Sequence, residues 1–138
     1  MNEAPRPLPA PSALTAEFWA AARRRVLVRP RCHACGRSFF TPQIACPACL
    51  SEHWSYAPSS GRGVVYSSTL VHRAPFPGFA VPYELAIVDL EEDWSMLANI
   101  VDPARRPTPI GTPVEVTWKV LDADVVLPAF RRAGGAAR

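Results

Sequence analysis

Four cysteines in two Cys-x-x-Cys pairs restrict the fold of this chain more than any other feature. The pairs are Cys32 with Cys35 and Cys46 with Cys49, and ten residues separate them. A Cys-x-x-Cys turn lets two thiolates reach one cation, and two such turns complete the tetrahedral four-thiolate set of a structural zinc site. A redox dithiol is the alternative, but no βαβ pattern surrounds either pair. The spacing therefore predicts one structural Zn²⁺ that folds the chain and performs no chemistry.

The residues around the cysteines indicate a small zinc ribbon over residues 28–58. Gly36 can adopt the left-handed conformation that follows a Cys-x-x-Cys turn. Between the two pairs we expect a tight hairpin, whose arms are Arg37–Thr41 and the residues before Cys46. His33 lies inside the first turn, and we expect it to face solvent because four cysteines already fill the metal's coordination positions.

A proline-rich arm precedes the ribbon and belongs to a segment of residues 1–27. Proline occupies every second position from Pro5 to Pro11, which predicts a flexible, partly polyproline structure. The N-terminus has no apolar signal-peptide core, and no run is long enough to span a membrane. We therefore expect a cytoplasmic protein without membrane contact, in a compartment where cysteines are metal ligands more often than disulfides.

A short helix is predicted from Ala16 to about Val26. Thr15 is its expected N-cap, and Glu17 complements the helix dipole in the first turn. Its apolar stripe consists of Phe18, Ala22 and Val26, with Trp19 beside it. The stripe can dock on the chain's own body or on another subunit, and the sequence leaves both alternatives open.

Residues 59–132 change to a pattern of short strands. The expected strands are Gly63–His72, Tyr83–Leu90, Ser95–Val101, Val114–Leu121 and Val125–Phe130. The fourth strand alternates most clearly, with Val114, Val116, Trp118 and Val120 on one face. Five short strands without a long helix between them indicate a mainly β fold that ends in a five-stranded OB-fold barrel. Residues 133–138 are expected to form a flexible tail.

The connection between the first two expected strands is rich in proline and carries two phenylalanines. Three prolines stiffen the segment from Arg73 to Pro82, and Gly78 allows a sharp turn. Phe76 and Phe79 are large apolar groups in a stiff loop, which loses little entropy on binding. The first interstrand loop is a usual binding loop of OB-folds. We expect both rings to contact a partner, and the alternative is that they cover the end of the barrel.

Catalytic motifs are largely absent from the sequence. It has no Gly-x-Ser-x-Gly motif, no P-loop and no Gly-x-Gly-x-x-Gly motif after a strand, and its four cysteines are assigned to the metal. Residues 1–62 carry eight arginines against three glutamates, whereas residues 63–138 carry more acidic than basic groups. The basic front half suits an anionic partner. The residues alone therefore predict a binding or scaffolding module, not a self-sufficient enzyme.

The order of several motifs resembles a known protein family. These motifs are the helix, the two cysteine pairs, SGRGVVYS at 60–67, HRAP at 72–75, PGF at 77–79 and LPAFR at 127–131. In this order they are similar to the bacterial and archaeal proteins that join a rubredoxin-like zinc ribbon to an OB-fold and accompany acyl-CoA enzymes. The resemblance extends from about Thr15 to Arg132.

The resemblance implies a non-catalytic accessory subunit in a hetero-oligomer. The implied partner is a thiolase-superfamily protein, either a thiolase or a lipid-transfer-protein-type aldolase of steroid side-chain degradation, and a hotdog-fold enoyl-CoA hydratase is the alternative. The acyl-CoA substrate would be a ligand shared with that partner. The resemblance places His72, Arg73, Gly78 and Phe79 in the family's signature loop. Together with the aromatics Phe76, Phe18 and Trp19, these are the expected contacts to acyl-CoA or to the partner. A single-stranded nucleic-acid module is the rival of another class, but the acidic barrel half and the lack of aromatics spaced along the strands oppose it.

Overall fold

The computed structural model describes residues 5–101 and 106–134 and contains one helix and seven strands within them. The elements are α1 Ala16–Arg23, β1 Val28–Cys32, β2 Trp54–Pro58, β3 Arg62–Val71, β4 Tyr83–Leu90, β5 Trp94–Ile100, β6 Pro113–Val120 and β7 Val126–Arg132. No helix among these residues is long and apolar enough to cross a membrane.

Strands β3 to β7 form the predicted barrel. Their order around it is β3-β4-β5-β7-β6, and β6 pairs with β3 to close the sheet. All neighbours are antiparallel except β5 and β7, which run parallel where Ile100 faces Phe130. This order is that of a five-stranded Greek-key OB-fold. The mainly β fold class is confirmed, and each strand lies within two residues of its predicted position.

Alternation along the strands fills the barrel with apolar side chains. On β4 every second residue from Glu84 to Leu90 is buried, and on β5 every second residue from Trp94 to Ile100. The fourth predicted strand keeps this pattern only in part, because Val114 is 1% exposed whereas Val120 is 60% exposed. β6 pairs with β3 only through its first residues, so its far end lies outside the core.

The helix is shorter than predicted and ends at Arg23. Arg25 adopts a left-handed φ of 63°. The N–H of Val26 donates to Ala21 O over 3.0 Å, and the N–H of Arg25 donates to Ala22 O over 2.9 Å. These two bonds form a Schellman motif, which terminates a helix. Val26 is therefore exposed and does not belong to the apolar stripe.

The start of the helix also differs from the prediction. The hydroxyl of Thr15 makes no N-cap hydrogen bond to the helix. It instead accepts the N–H of Ser12 over 2.9 Å, while Ser12 Oγ accepts the N–H of Thr15 over 3.2 Å. The side-chain oxygen of each residue thus accepts the backbone N–H of the other. This is the arrangement of a capping box, and it begins three residues before Thr15.

The ribbon is built from strands on either side of the cysteines. β1 and β2 pair antiparallel from Val28 with Pro58 to Cys32 with Trp54. The predicted hairpin arm at Arg37–Thr41 is wrong, since this segment forms only one isolated bridge, between Ser38 and Arg31. The two-stranded sheet of the ribbon therefore pairs residues that lie more than twenty positions apart in the chain.

Aromatic rings connect the ribbon, the helix and the barrel. The ring of Phe40 lies 5.4 Å from that of Phe18 in α1 and 5.7 Å from that of Trp94 in β5. A second cluster inside the ribbon contains Phe39, whose ring lies 5.6 Å from Trp54. Each pair has the tilted or edge-on geometry that aromatic rings favour. The helix and the ribbon are thereby packed onto the barrel.

Glu92 lies in the turn between β4 and β5 and binds the residues that connect the ribbon to the barrel. Its carboxylate accepts hydrogen bonds from Ser59 Oγ at 2.7 Å, the N–H of Ser60 at 2.6 Å and Trp94 Nε1 at 3.1 Å. Partial burial raises the pKa of Glu92, but these donors outweigh it and lower the pKa to about 2. The folded state therefore favours the ionised carboxylate.

We expect Glu92→Gln to lower the free energy of unfolding by about 1–2 kcal/mol at pH 7, since hydrogen bonds to a charged group are lost. Because the folded pKa lies below the ordinary value of 4.5, the stabilisation is present above pH 4.5 and is lost as the pH falls from 4.5 toward 2. In thermal melts across this pH range, the melting temperature should fall more steeply with decreasing pH for the wild type than for the variant. Equal slopes, or the same change in the exposed-site control Glu52→Gln, would contradict this role.

Candidate functional site

The two Cys-x-x-Cys turns share one backbone geometry. The N–H of Gly36 donates to Cys32 O over 3.0 Å, and the N–H of Leu50 donates to Cys46 O over 2.8 Å. Both donors have left-handed backbones, with φ of 76° at Gly36 and 66° at Leu50. A glycine takes this conformation without steric cost, so the expectation for Gly36 is confirmed. The second turn places a leucine in the same position.

The four sulfur atoms converge at one point. All four Sγ atoms lie within 4.8 Å of one another. Cys32 Sγ is 3.6 Å from Cys49 Sγ, and Cys35 Sγ is 3.7 Å from Cys46 Sγ. Four thiolates at the usual Zn–S distance of about 2.3 Å occupy tetrahedron corners roughly 3.8 Å apart. The residues fit a tetrahedral zinc ion, and among the described residues this is the only such group of potential metal ligands.

Backbone amides around the sulfurs favour thiolates. The N–H of Cys35 lowers the pKa of Cys32 to about 6 against the opposing effect of burial. The N–H of Cys49 likewise lowers the pKa of Cys46. The N–H of Ser51 lowers the pKa of Cys49, but hydrogen bonding to Cys32 and burial raise it to about 11. The thiols of Cys32 and Cys46 thus have lowered pKa values, which favour the thiolate form that binds a metal. A divalent cation supplies the positive charge that adjacent thiolates need.

His33 lies outside the sulfur cluster. Its side chain is exposed, and its Nε2 is 2.9 Å from Ser55 Oγ on β2. The group of potential metal ligands contains the four cysteines and not this ring. The zinc site therefore has four cysteine ligands and is of the structural kind.

The loop from His72 to Pro82 presents the residues that resemble a family signature. His72, Arg73 and Gly78 are exposed, and Gly78 has a φ of 94°. Phe76 is 59% exposed. Phe79 is half-buried, because its ring lies 6.1 Å from that of Tyr83. The two phenylalanines thus differ, since one extends into solvent and the other packs against the barrel.

A cavity of about 400 Å³ lies beside Phe79. It is bordered by the β3–β4 loop, the end of β5 and the far half of β6, and the proline-rich arm reaches it through Arg6. Further lining residues are Tyr83, Asn99, Thr117, Trp118 and Lys119. The sequence analysis did not group these residues, which come from four separate parts of the chain. The alternation of β6 gave no signal for the cavity, since it predicted Trp118 and Lys119 on opposite faces of the strand.

The two aromatic residues of the helix have different environments. Phe18 is 5% exposed and belongs to the chain's own core together with Ala21 and Val65. The expectation that Phe18 contacts a partner is therefore wrong, because the helix docks this ring on its own barrel. Trp19 is half-buried and lines an apolar groove of about 260 Å³ with Leu97 and Leu127. Of the pair, only Trp19 is partly exposed to solvent.

The groove at Trp19 and the cavity at Phe79 are neighbours on the barrel. Both are lined by Asn99, and both include residues of β4 or β5, such as Tyr83 and Leu97. The structure thus brings the loop and the helix residue Trp19 to adjoining parts of one barrel surface. This surface includes the face that ligands use in other OB-folds.

The fold and the four-cysteine site define a zinc ribbon joined to an OB-fold barrel. Residues 19–55 match the family model of the ChsH2 rubredoxin-like zinc ribbon domain, and residues 56–119 match that of the ChsH2 C-terminal OB-fold domain. A DUF35 domain-containing scaffold protein of Methanocaldococcus jannaschii is 35% identical over 104 residues, which are 73% of either chain. This chain belongs to the DUF35 family, whose members include the ChsH2-type proteins that accompany acyl-CoA enzymes.

Relatives with a described activity are named as subunits of acyl-CoA enzymes. A structure called the Ltp2-ChsH2(DUF35) aldolase contains a chain that is 38% identical, with a TM-score of 0.81 over 91% of this chain and 98% of that one. A probable enoyl-CoA hydratase alpha subunit of Thermomonospora curvata is 38% identical over 128 residues. The match covers 93% of this chain and 40% of that subunit, so this chain spans less than half of its length.

Proposed function

We propose that this chain is a non-catalytic accessory subunit of a thiolase-superfamily enzyme. It binds a lipid-transfer-protein-type aldolase or a thiolase and helps form the partner's acyl-CoA site, in steroid side-chain degradation. The match to nearly the whole of one chain in an aldolase complex carries this proposal. A benzoylsuccinyl-CoA thiolase subunit BbsA of Geobacter metallireducens supports it, with 37% identity over 51% of this chain and 47% of that subunit.

The side chains of this protein support a binding role over a catalytic one. Every cysteine belongs to the zinc cluster, so no thiol is left as a nucleophile. His72 is exposed at the end of β3 and has no hydrogen bond among the side-chain contacts described for residues 5–101 and 106–134. The adjoining loop and groove supply apolar contact surface instead, and Arg73 supplies a cation that can meet a phosphate of CoA. The chemistry would then come from the partner's own residues.

A hotdog-fold hydratase is the second candidate for the partner. It is favoured by the Thermomonospora curvata subunit and by a 3-oxo-4,17-pregnadiene-20-carboxyl-CoA hydratase alpha subunit of Mycobacterium tuberculosis, which is 38% identical over 80% of this chain. Only 35% of the Mycobacterium tuberculosis subunit is covered. The aldolase or thiolase partner stays the first proposal, because the match to a chain of the aldolase structure covers 98% of that chain.

Co-expression with a thiolase-superfamily protein of the same genome tests the proposed function. We expect the two proteins to co-purify, and the partner's turnover of acyl-CoA thioesters to rise at least several-fold over that of the partner alone. The isolated chain should not turn over these thioesters, because every cysteine lies in the metal cluster and the described residues show no nucleophile paired with a base. Robust turnover by the isolated chain that His72→Ala abolishes would contradict the proposal. Co-purification with a hydratase instead would favour the second candidate.

A further inference from the structure

The cavity beside Phe79 has the dimensions of a small-molecule site. Its volume of about 400 Å³ lies within the range of roughly 300–1,000 Å³ that ligand pockets occupy. It opens between the β3–β4 loop and the end of β5, next to the face that OB-folds use for ligands. The cavity belongs entirely to this chain, so its occupancy does not require a partner subunit.

The walls of the cavity combine aromatic rings with positive charge. Phe79, Tyr83 and Trp118 supply the rings, and Arg6 and Lys119 supply the cations. Among residues 5–101 and 106–134, no aspartate or glutamate lines the cavity. Lys119 is the only lysine in the sequence. Two cations in the described lining favour an anion, whereas three rings favour a flat apolar body.

Arg6 connects these two properties. Its guanidinium carbon lies 4.5 Å from the centroid of the Phe79 ring, which is a cation–π contact. Its Nε is buried and has no hydrogen-bond partner among the described residues. A buried donor is normally satisfied, and an anionic oxygen inside the cavity would satisfy this one. Asn99 and Thr117 add neutral polar groups to the same wall.

We infer that this cavity binds an organic anion whose body is a flat ring system. The ring lies among Phe79, Tyr83 and Trp118, and the anionic group accepts hydrogen bonds from Arg6 and Lys119. Two sources have this chemistry, namely the nucleotide end of a CoA thioester and a free aromatic carboxylate. A single-stranded nucleic acid also carries rings and phosphates, but it needs ring platforms spaced along the strands, whereas these three rings line a single cavity.

Calorimetric titration of the isolated full chain tests the inference. The probes are adenosine 3′,5′-bisphosphate, benzoate, inorganic phosphate and benzyl alcohol. We expect one saturable site per chain for at least one of the two ring-bearing anions. Inorganic phosphate and benzyl alcohol should bind at least tenfold more weakly. Phosphate has the anionic group without a ring, and benzyl alcohol has the ring without a charge. Tighter binding of the nucleotide identifies the CoA end as the source, and tighter binding of benzoate identifies a free aromatic carboxylate.

Three variants locate the site. Lys119→Gln and Arg6→Gln should each weaken the ring-bearing anion about tenfold, which is the loss of one charged hydrogen bond. Arg37→Gln removes an exposed cation of the ribbon and should change nothing. Arg6→Gln also loses the contact with the Phe79 ring, so Lys119→Gln is the deciding variant. Its melting temperature should equal that of the wild type, which excludes unfolding as the cause. Absence of saturable binding at millimolar probe, an equal loss in Arg37→Gln, or tighter binding of oligothymidine than of either anion would overturn the inference.

Discussion

Cys46→Ser is expected to abolish zinc binding and to unfold the ribbon while the barrel persists. Cys46 is 1% exposed, and its Sγ is 3.7 Å from Cys35 Sγ, so a hydroxyl in its place leaves a three-thiolate site. The ribbon has only one two-stranded sheet, of five residues a strand, and an isolated pair of strands is marginal in water. A structural zinc site contributes on the order of 10 kcal/mol, which the ribbon cannot replace.

Three measurements follow this loss. Metal analysis should give one zinc per wild-type chain and well under one equivalent for the variant. Thiol titration under native conditions should find no reactive cysteine in the wild type and three in the variant. The emission of Trp54, which packs on Phe39 inside the ribbon, should shift toward that of an exposed indole.

The matched control for Cys46→Ser is Ala48→Ser, which introduces the same residue at an exposed position of the same turn. It should keep its zinc and its melting temperature. A wild-type protein with well under one equivalent of zinc and four freely titrating thiols would contradict the structural metal altogether.

Features set by neighbouring residues were predictable from the sequence, and the cysteine turns are the clearest case. The local backbone of a Cys-x-x-Cys turn places both sulfurs, and Gly36 marks its left-handed end. The end of the helix was missed because its left-handed C′ position holds Arg25, whereas glycine is the residue that normally signals a Schellman motif. An arginine at this position does not indicate the end of a helix.

Features that depend on distant residues were not predictable. β1 contains Pro30 and β2 ends at Pro58, and proline usually argues against a strand. Cys32 ends β1 and Cys49 lies five residues before β2, so a zinc ion bound to both would hold these two strand ends together. The cavity depends on four separate segments, from Arg6 to Lys119, and no pattern within one segment indicates it.

Phe76→Ala should weaken the complex with the proposed partner by about 2 kcal/mol or more, which is roughly 30-fold in the dissociation constant. Phe76 is 59% exposed, so its ring leaves apolar area in water until another surface covers it. Pro75 and Pro77 flank it and restrict the loop before binding, which lowers the entropy lost in the complex. A ring that is fixed and exposed is suited to be an anchor.

The same variant should hardly change the stability of the chain alone. A substitution at an exposed site usually alters the free energy of unfolding by less than about 0.5 kcal/mol. Phe79→Ala should differ, because its ring packs on Tyr83 and carries the guanidinium of Arg6, so stability and affinity should fall together. The comparison of the two variants therefore separates a contact residue from a residue that also shapes the barrel surface.

Tyr66→Ala is the control for both, since Tyr66 is an aromatic residue of β3 with a similar exposure of 60%. Partner affinity by calorimetry and melting temperature of each variant alone are the two measurements. An equal loss of affinity in Tyr66→Ala would mean that the loop has no special part in the complex. Unchanged affinity in Phe76→Ala together with a large loss of stability would assign the ring to the core of this chain, and the partner would then have to bind through the Trp19 groove.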